Sequence, residues 1–164
     1  MFLVLLSQII IYQSPFFDIG PKAIQVGMGA GSFMTRREFG LTAVISFRTN
    51  GDYAPSYLDY ECPHSDYSIM GWYKDGSEYG IMIYYGIIEY PFTFLGELGL
   101  ALQNYVYLVR SNVTGWYYAH DEESNFFPIF SIGIGIFFSP HYRLQVKISD
   151  RYSVLLGLTL AIQK

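Results

Sequence analysis

The sequence predicts an all-β fold: one antiparallel barrel of eight strands, an up-and-down meander that crosses a membrane. Three observations lead there. Apolar residues recur at every second position over 129–138, Tyr142–Ser149 and 153–162, with small or polar residues between them. That is the period of a strand with one oily face. Charged residues are only 15% of the 164 and aromatic residues reach 19%, whereas about a quarter of an ordinary soluble domain is charged. Finally, no apolar run reaches the ~18 residues of a spanning helix, so the hydrophobicity is spread over strands that face oil on one side.

The length fits one domain, with a barrel expected over 22–164. The first 21 residues carry the apolar stretch Phe2-Leu3-Val4-Leu5-Leu6 and Ile9-Ile10-Ile11, which reads as a signal peptide. A strand or plug packed on the barrel end is the alternative. The net charge of −4 comes with no basic stripe, so nucleic acid is not an expected partner. Cys62 is the sole cysteine. It can form no intrachain disulfide and offers too few thiols for a zinc site, and no cofactor or metal is expected.

The strands follow in order. Over 22–31, Ile24, Val26 and Met28 alternate with Gln25, Gly27, Gly29 and Gly31; glycine on one face suits a crowded lumen. After the polar break at 34–37, Phe39, Leu41, Ala43, Ile45 and Phe47 form an outer face with Thr42, Ser46 and Arg48 between them. Asn50-Gly51 is a turn signal. Residues 49–66, with Pro55 and Pro63, read as a long loop with a short strand near 57–60. A third strand at 68–73 and a fourth at 79–89 are expected to flank a tight hairpin turn at Lys74-Asp75-Gly76-Ser77. The fifth runs over 93–110, with Leu98, Leu100, Leu102, Val106 and Leu108 on one face and Glu97, Gly99, Ala101, Gln103 and Tyr105 on the other. Residues 111–125 read as a polar loop. The sixth strand is 127–138, and strands seven and eight follow the turns at 139–141 and 149–151.

Lipid leaves no partner for a free backbone N–H or C=O, so a spanning sheet has to close. Eight strands give a lumen just wide enough for side chains to fill. The inner face carries Arg48, Glu97, Arg143 and Lys147, and buried charges need partners. A lumen network among these four residues is therefore expected, and it argues against a wide porin-like channel. Phe92, Phe137, Phe138 and Tyr142 at one set of strand ends, and Trp72, Tyr73, Tyr79, Tyr107, Trp116 and Tyr117 at the other, are expected to form the two interfacial girdles of such a barrel.

The run Phe137-Phe138-Ser139-Pro140-His141-Tyr142-Arg143-Leu144-Gln145-Val146, the closing Leu156-Gly157-Leu158-Thr159-Leu160 and the glycine-rich Val26-Gly27-Met28-Gly29-Ala30-Gly31 resemble small bacterial outer-membrane barrels. These are the transmembrane domains of outer-membrane proteins A and X. The resemblance implies an eight-stranded barrel, a cleaved signal and insertion in the bacterial outer membrane. The expected partners are then the lipid bilayer and lipopolysaccharide, the expected state a monomer, and the role structural, adhesive or surface-interacting, through the loop at 111–125. In that family the second connection is short. Counted from residue 22, the second connection here is 49–66, so either a strand is missing from the count or the loop is unusual.

Two further readings compete. A barrel enzyme acting on outer-membrane lipid would use His120 or His141 as base. However, His120-Asp121-Glu122-Glu123-Ser124 is a sequence cluster, and a triad depends on spatial placement. A soluble lipocalin-like barrel would turn Leu100 and Leu158 inward. Glu61-Cys62-Pro63-His64, with Asp59 and Asp66, has ligand-type side chains without a zinc spacing and reads as an acidic loop.

Overall fold

A computed structural model describes residues 12–47, 53–55, 58, 59 and 65–163. The chain is all-β. Eight strands run as an antiparallel meander: β1 (Tyr12–Ile19), β2 (Ala23–Ser32), β3 (Arg37–Ser46), β4 (Tyr67–Glu89), β5 (Phe92–Ser111), β6 (Tyr117–Ser139), β7 (Tyr142–Ser149) and β8 (Ser153–Leu160). A two-residue β9 (Ile162–Gln163) continues β8 past Ala161. Each strand pairs with the next, and β1 pairs with both β2 and β8, so the sheet closes. The seam pairs Phe16 with Thr159 through Ile19 with Leu156, and Tyr12 with Gln163 in the same register. It lapses only around Ser14 and Pro15, where proline has no N–H to donate.

The first strand of the barrel is thus Tyr12–Ile19, inside the segment that the sequence assigned to the N-terminal region. The apolar residues 2–11 lie outside the described residues. A second difference compensates for the first. The expected strands at 68–73 and 79–89 are one strand, β4, and Lys74–Ser77 is no hairpin turn. The register against β5 shifts between Asp75 and Tyr79, with Gly76 at φ +65°. A left-handed glycine serves a bulge as well as a turn, and here it serves the bulge. The strand count stays at eight, but 47–66 becomes the third connection rather than the second. It therefore lies at the same end of the barrel as 20–22, 112–116 and 150–152. The connections at 33–36, 90–91 and 140–141 lie at the opposite end, called the turn end below.

The polar loop expected at 111–125 is also strand. β5 and β6 run on to a tight turn at 112–116, where Gly115 has φ +76° and its N–H bonds to Ser111 O at 2.9 Å. Because β3 reaches β4 only from Tyr79 onward and β7 reaches β6 only from Ser131, three strands project past the barrel as a sheet. That sheet continues for about 25–30 Å along β5, at ~3.3 Å per residue. One of its faces packs Val106, Leu108, Ala119 and Tyr73 against Ala54 and Leu58 of the third connection. The same connection bridges both sheet edges: Ala54 N–H bonds to Lys74 O at 2.8 Å, and Ala119 N–H to Asp59 O at 2.9 Å. Of the short strand expected near 57–60, residues 57 and 60 lie outside the described residues, and Asp59 makes an isolated bridge to Tyr118.

The β1 pairing gives a direct test. A chain beginning at Gly20 lacks the strand that joins β2 to β8, and its two open edges cannot be satisfied in an apolar medium. It is expected to give no heat-modifiable species on gels and a weakened strand signal by circular dichroism in detergent. A chain beginning at Tyr12 is expected to give both in full.

Candidate functional site: the closed interior and the projecting sheet

Outward and inward positions alternate along every barrel strand, and the polar residues are inside. Ile81, Ile83, Leu98, Ile132, Ile134, Leu144, Val146 and Leu156 are all exposed, whereas Asp18, Gln25, Glu38, Thr42, Glu97, Arg143, Gln145, Lys147 and Thr159 are buried. Leu100 and Leu158 are 54% and 45% exposed, so they do not line a ligand cavity as a lipocalin-like barrel requires.

The interior is layered. At the turn end Ile88, Phe137 and Ala161, with Phe33 against them, fill the bore. Arg143 sits above, its guanidinium 5.4 Å from the Phe137 ring centre. It is ion-paired with Glu38 and donates from Nη2 to Gln145 Oε1 at 3.2 Å and Thr159 Oγ1 at 3.3 Å. In the next layer the Lys147 ammonium meets Asp18 Oδ2 at 2.5 Å, Gln25 Oε1 at 2.6 Å and Glu97 Oε1 at 2.7 Å. An ammonium has three donors, and three oxygens surround this one. Gln145 Nε2 donates to Asp18 Oδ1 at 2.6 Å and ties the two layers together. Toward the sheet end comes an apolar layer of Ala23, Val44, Met82, Ala101, Ile129, Leu155 and Tyr152. Glu78 closes the mouth. It holds Arg151 through both carboxylate oxygens and accepts the Tyr152 hydroxyl at 2.7 Å. In this mouth turn, burial and the bond to Glu78 push the Tyr152 hydroxyl well above its ordinary value, and the Glu78 hydrogen bond raises Arg151.

Inward glycines make the room for these side chains. A Cβ on Gly157 would overlap the Asp18 carboxylate, one on Gly135 the Arg143 stem, one on Gly133 the Lys147 stem and one on Gly86 the Glu38 side chain.

Of the four residues assigned to the lumen from sequence, the structure brings Glu97 and Lys147 together. It buries Arg143 in the same network with Glu38 as its carboxylate, and Arg48 lies outside the described residues. Asp18 and Glu38 were missed, and Gln25, read on the glycine-bearing inner face, was not assigned to the network. Glu38 shares the parity of Thr42, which was read as inward, so the alternation of β3 carried the signal. Asp18 lies in a segment not read as barrel. Among the described residues of the two middle layers, the carboxylates Asp18, Glu38 and Glu97 face the cations Arg143 and Lys147.

The two described histidines, His120 and His141, are not brought together. His120 lies on the projecting sheet, 6.3 Å from the ring centres of both Tyr67 and Tyr107, while His141 is in a turn at the opposite end. No group of three metal-ligating side chains occurs among the described residues; Glu61, Cys62 and His64 lie outside them. The expected girdles change in part. Phe137 is buried in the bore. Trp116 and Tyr117 sit at the tip of the projecting sheet, and Trp72 and Tyr107, 5.2 Å apart, lie on its shaft. Phe92, Phe138, Tyr142 and Tyr79 remain exposed at the ends of the apolar band.

No protein-family model and no characterised protein sequence matches the chain. Among solved structures, Ail, the attachment invasion locus protein of Yersinia pestis, is similar over 93% of this chain and 93% of its own, at 10% identity and a TM-score of 0.45. The architecture given above rests on the strand pairing of this chain alone.

Lys147→Met would leave the Asp18 and Glu97 carboxylates without a cation in a closed bore. It is expected to cost ~3–5 kcal/mol in equilibrium unfolding, and adding Glu97→Leu is expected to restore part of that, as a coupling energy in a double-mutant cycle. The raised Tyr152 hydroxyl has a defined sign. The stability carried by its proton is complete below the ordinary tyrosine value of about 10 and is lost as the pH climbs above it. Tyr152→Phe is expected to flatten that alkaline loss in a pH series of unfolding midpoints.

Proposed function

We propose that the chain is an integral barrel of the bacterial outer membrane with a filled bore, and that its projecting sheet interacts with other molecules at the cell surface. The single observation that supports this most is the reversed polarity of the barrel: paired charges within and a continuous apolar belt without. On β4 the belt runs from Tyr79 to Ile87 and on β5 from Phe92 to Leu100, with every outward side chain apolar or a glycine. That height fits the ~9–11 residues of a tilted spanning strand. In water such a belt would be a large exposed apolar surface, which soluble monomers do not carry.

The layered interior supports a surface role rather than transport. Two apolar layers and two charged ones occupy the bore, and nothing in them provides a continuous polar path. The projecting sheet is of different character. Tyr67, Trp72 and His120, exposed, and the half-buried Tyr107 form an aromatic group across three strands, and Asp121, Glu122 and Glu123 follow on β6, all exposed. Aromatic side chains offer much contact area at small entropic cost. In this reading the sheet end faces outward among the lipopolysaccharide sugars, the start of β1 and the end of β8 lie at the periplasmic turn end, and the barrel is monomeric.

Three measurements test the reading. The protein is expected in the outer-membrane fraction and to shift on gels with heating; recovery in aqueous buffer without detergent would overturn it. In a Cys62→Ser background, Thr114→Cys is expected to react with an impermeant maleimide on intact cells and His141→Cys only after permeabilisation. Leu158→Arg, in the belt, is expected to cost ~2–4 kcal/mol when folded into vesicles, while Asn104→Arg on the projecting sheet is expected to change little.

A further inference from the structure

The belt is not smooth. On the outer wall of β2, β3 and β4 lies a groove of about 730 Å³, floored by Ala30 and the backbone of the paired Gly29 and Gly40 and walled by Met28, Leu41 and Ile83. Toward the turn end it runs into a second hollow of about 410 Å³, with Ala30, Phe39 and Tyr85 common to both. Its cause is local. Ala30 is the small outward side chain between Met28 and the β2–β3 turn; Phe39 of β3 lies beside it with Tyr85 of β4 beyond, and Gln13 of β1 flanks it on the other side. The lining of the first hollow is almost wholly apolar.

The second hollow ends at Ser32, Thr35 and Arg37. Ser32 and Thr35 are used by their own turn: Thr35 N–H donates to Ser32 Oγ at 3.3 Å and Thr35 Oγ1 to Ser32 O at 3.4 Å. Arg36 is held by both oxygens of Glu89. The Arg37 side chain is exposed, and no carboxylate among the described residues pairs with it. An apolar trough thus leads to an unpaired guanidinium at the edge of the apolar belt, the depth at which a lipid phosphate sits.

We propose that this groove binds an anionic phospholipid of the leaflet at the turn end, one acyl chain lying over Ala30 and the phosphate held by Arg37. The proposal rests on the membrane reading above. Guanidinium and phosphate match in charge and geometry, since two parallel N–H groups meet two phosphate oxygens. The trough supplies the other half of the fit, because a flexible chain fills a hollow between Phe39, Tyr85 and Leu41 that rigid neighbours would leave void. The charge selects the lipid headgroup and the trough retains the chain.

The test uses the full chain in detergent micelles, doped with phosphatidylglycerol or phosphatidylcholine, with retained lipid counted by native mass spectrometry. Wild type is expected to retain phosphatidylglycerol in preference to phosphatidylcholine. Arg37→Gln is expected to weaken that preference about tenfold, the loss of one charge-assisted pair, while keeping some of both lipids. Ala30→Leu, which fills the trough, is expected to reduce both together. Arg110→Gln, on the projecting sheet, is expected to change neither. Excess inorganic phosphate is expected not to displace the lipid; displacement would mean a simple anion site and overturn the lipid assignment. Equal lipid retention by wild type, Arg37→Gln and Ala30→Leu would overturn the inference while leaving the membrane reading intact, since all three would still show heat-modifiable folding. Failure of wild type to enter micelles would instead overturn the membrane reading.

Discussion

The pairing of β1 with β8 is the constraint on which the rest depends. Closing the sheet at eight strands fixes the bore, and a bore of fixed width admits a large inward side chain only where its neighbour is small. The glycines at 86, 133, 135 and 157 sit beside Glu38, Lys147, Arg143 and Asp18 for this reason. Close packing then decides the electrostatics. Charges that cannot reach water must find each other, and side chains confined to one cross-section do so across the barrel. Lys147 on β7 meets Asp18 on β1, Gln25 on β2 and Glu97 on β5. The strands are therefore joined twice, once by backbone pairing with neighbours and once by side chains with strands that are not their neighbours.

Much of the barrel was legible in the sequence. β7 and β8 have the bore on one face and the apolar outer belt on the other along their full length, and their alternation is unbroken. The lower part of β5 reads the same way, which is how Glu97 and Lys147 came to be assigned to one lumen. The misreadings have physical causes. In β1 an inward Phe16 lies between the inward Ser14 and Asp18, and Pro15 interrupts the strand signal, so no two-residue period stands out. Gly76 satisfies the requirements of a turn and of a bulge alike, and only the partner strand distinguishes them. The outer part of β6 shows no alternation because His120 to Ser124 meet water on both faces. The specific ion pairs were not legible in principle. Which inward residues share a level depends on the stagger of strands around the closed barrel, and no single strand records that stagger.

The two halves of the molecule are stabilised in different ways. Within the barrel each strand is paired on both sides and the bore is filled by the layers of inward side chains, so the outer residues form no core of their own. Beyond it, water competes for every backbone group, and the projecting sheet needs a core of its own. Val106, Leu108 and Ala119 provide one side of that core, and the third connection, laid across the sheet with Ala54 and Leu58, provides the other. A long connection at this place is therefore a structural part of the projection.

That connection also touches both margins of the sheet, near Lys74 on β4 and near Tyr118 on β6. In the membrane setting proposed above, copies of the chain would diffuse in two dimensions and share a common orientation. Two identical sheets standing upright in that plane would meet edge to edge far more often than in free solution, and bare margins would zip together. A crossing segment occupies one point on each margin, and a row of acidic side chains follows on β6. The strap that completes the small core thus also interrupts both edges along which a second sheet would add.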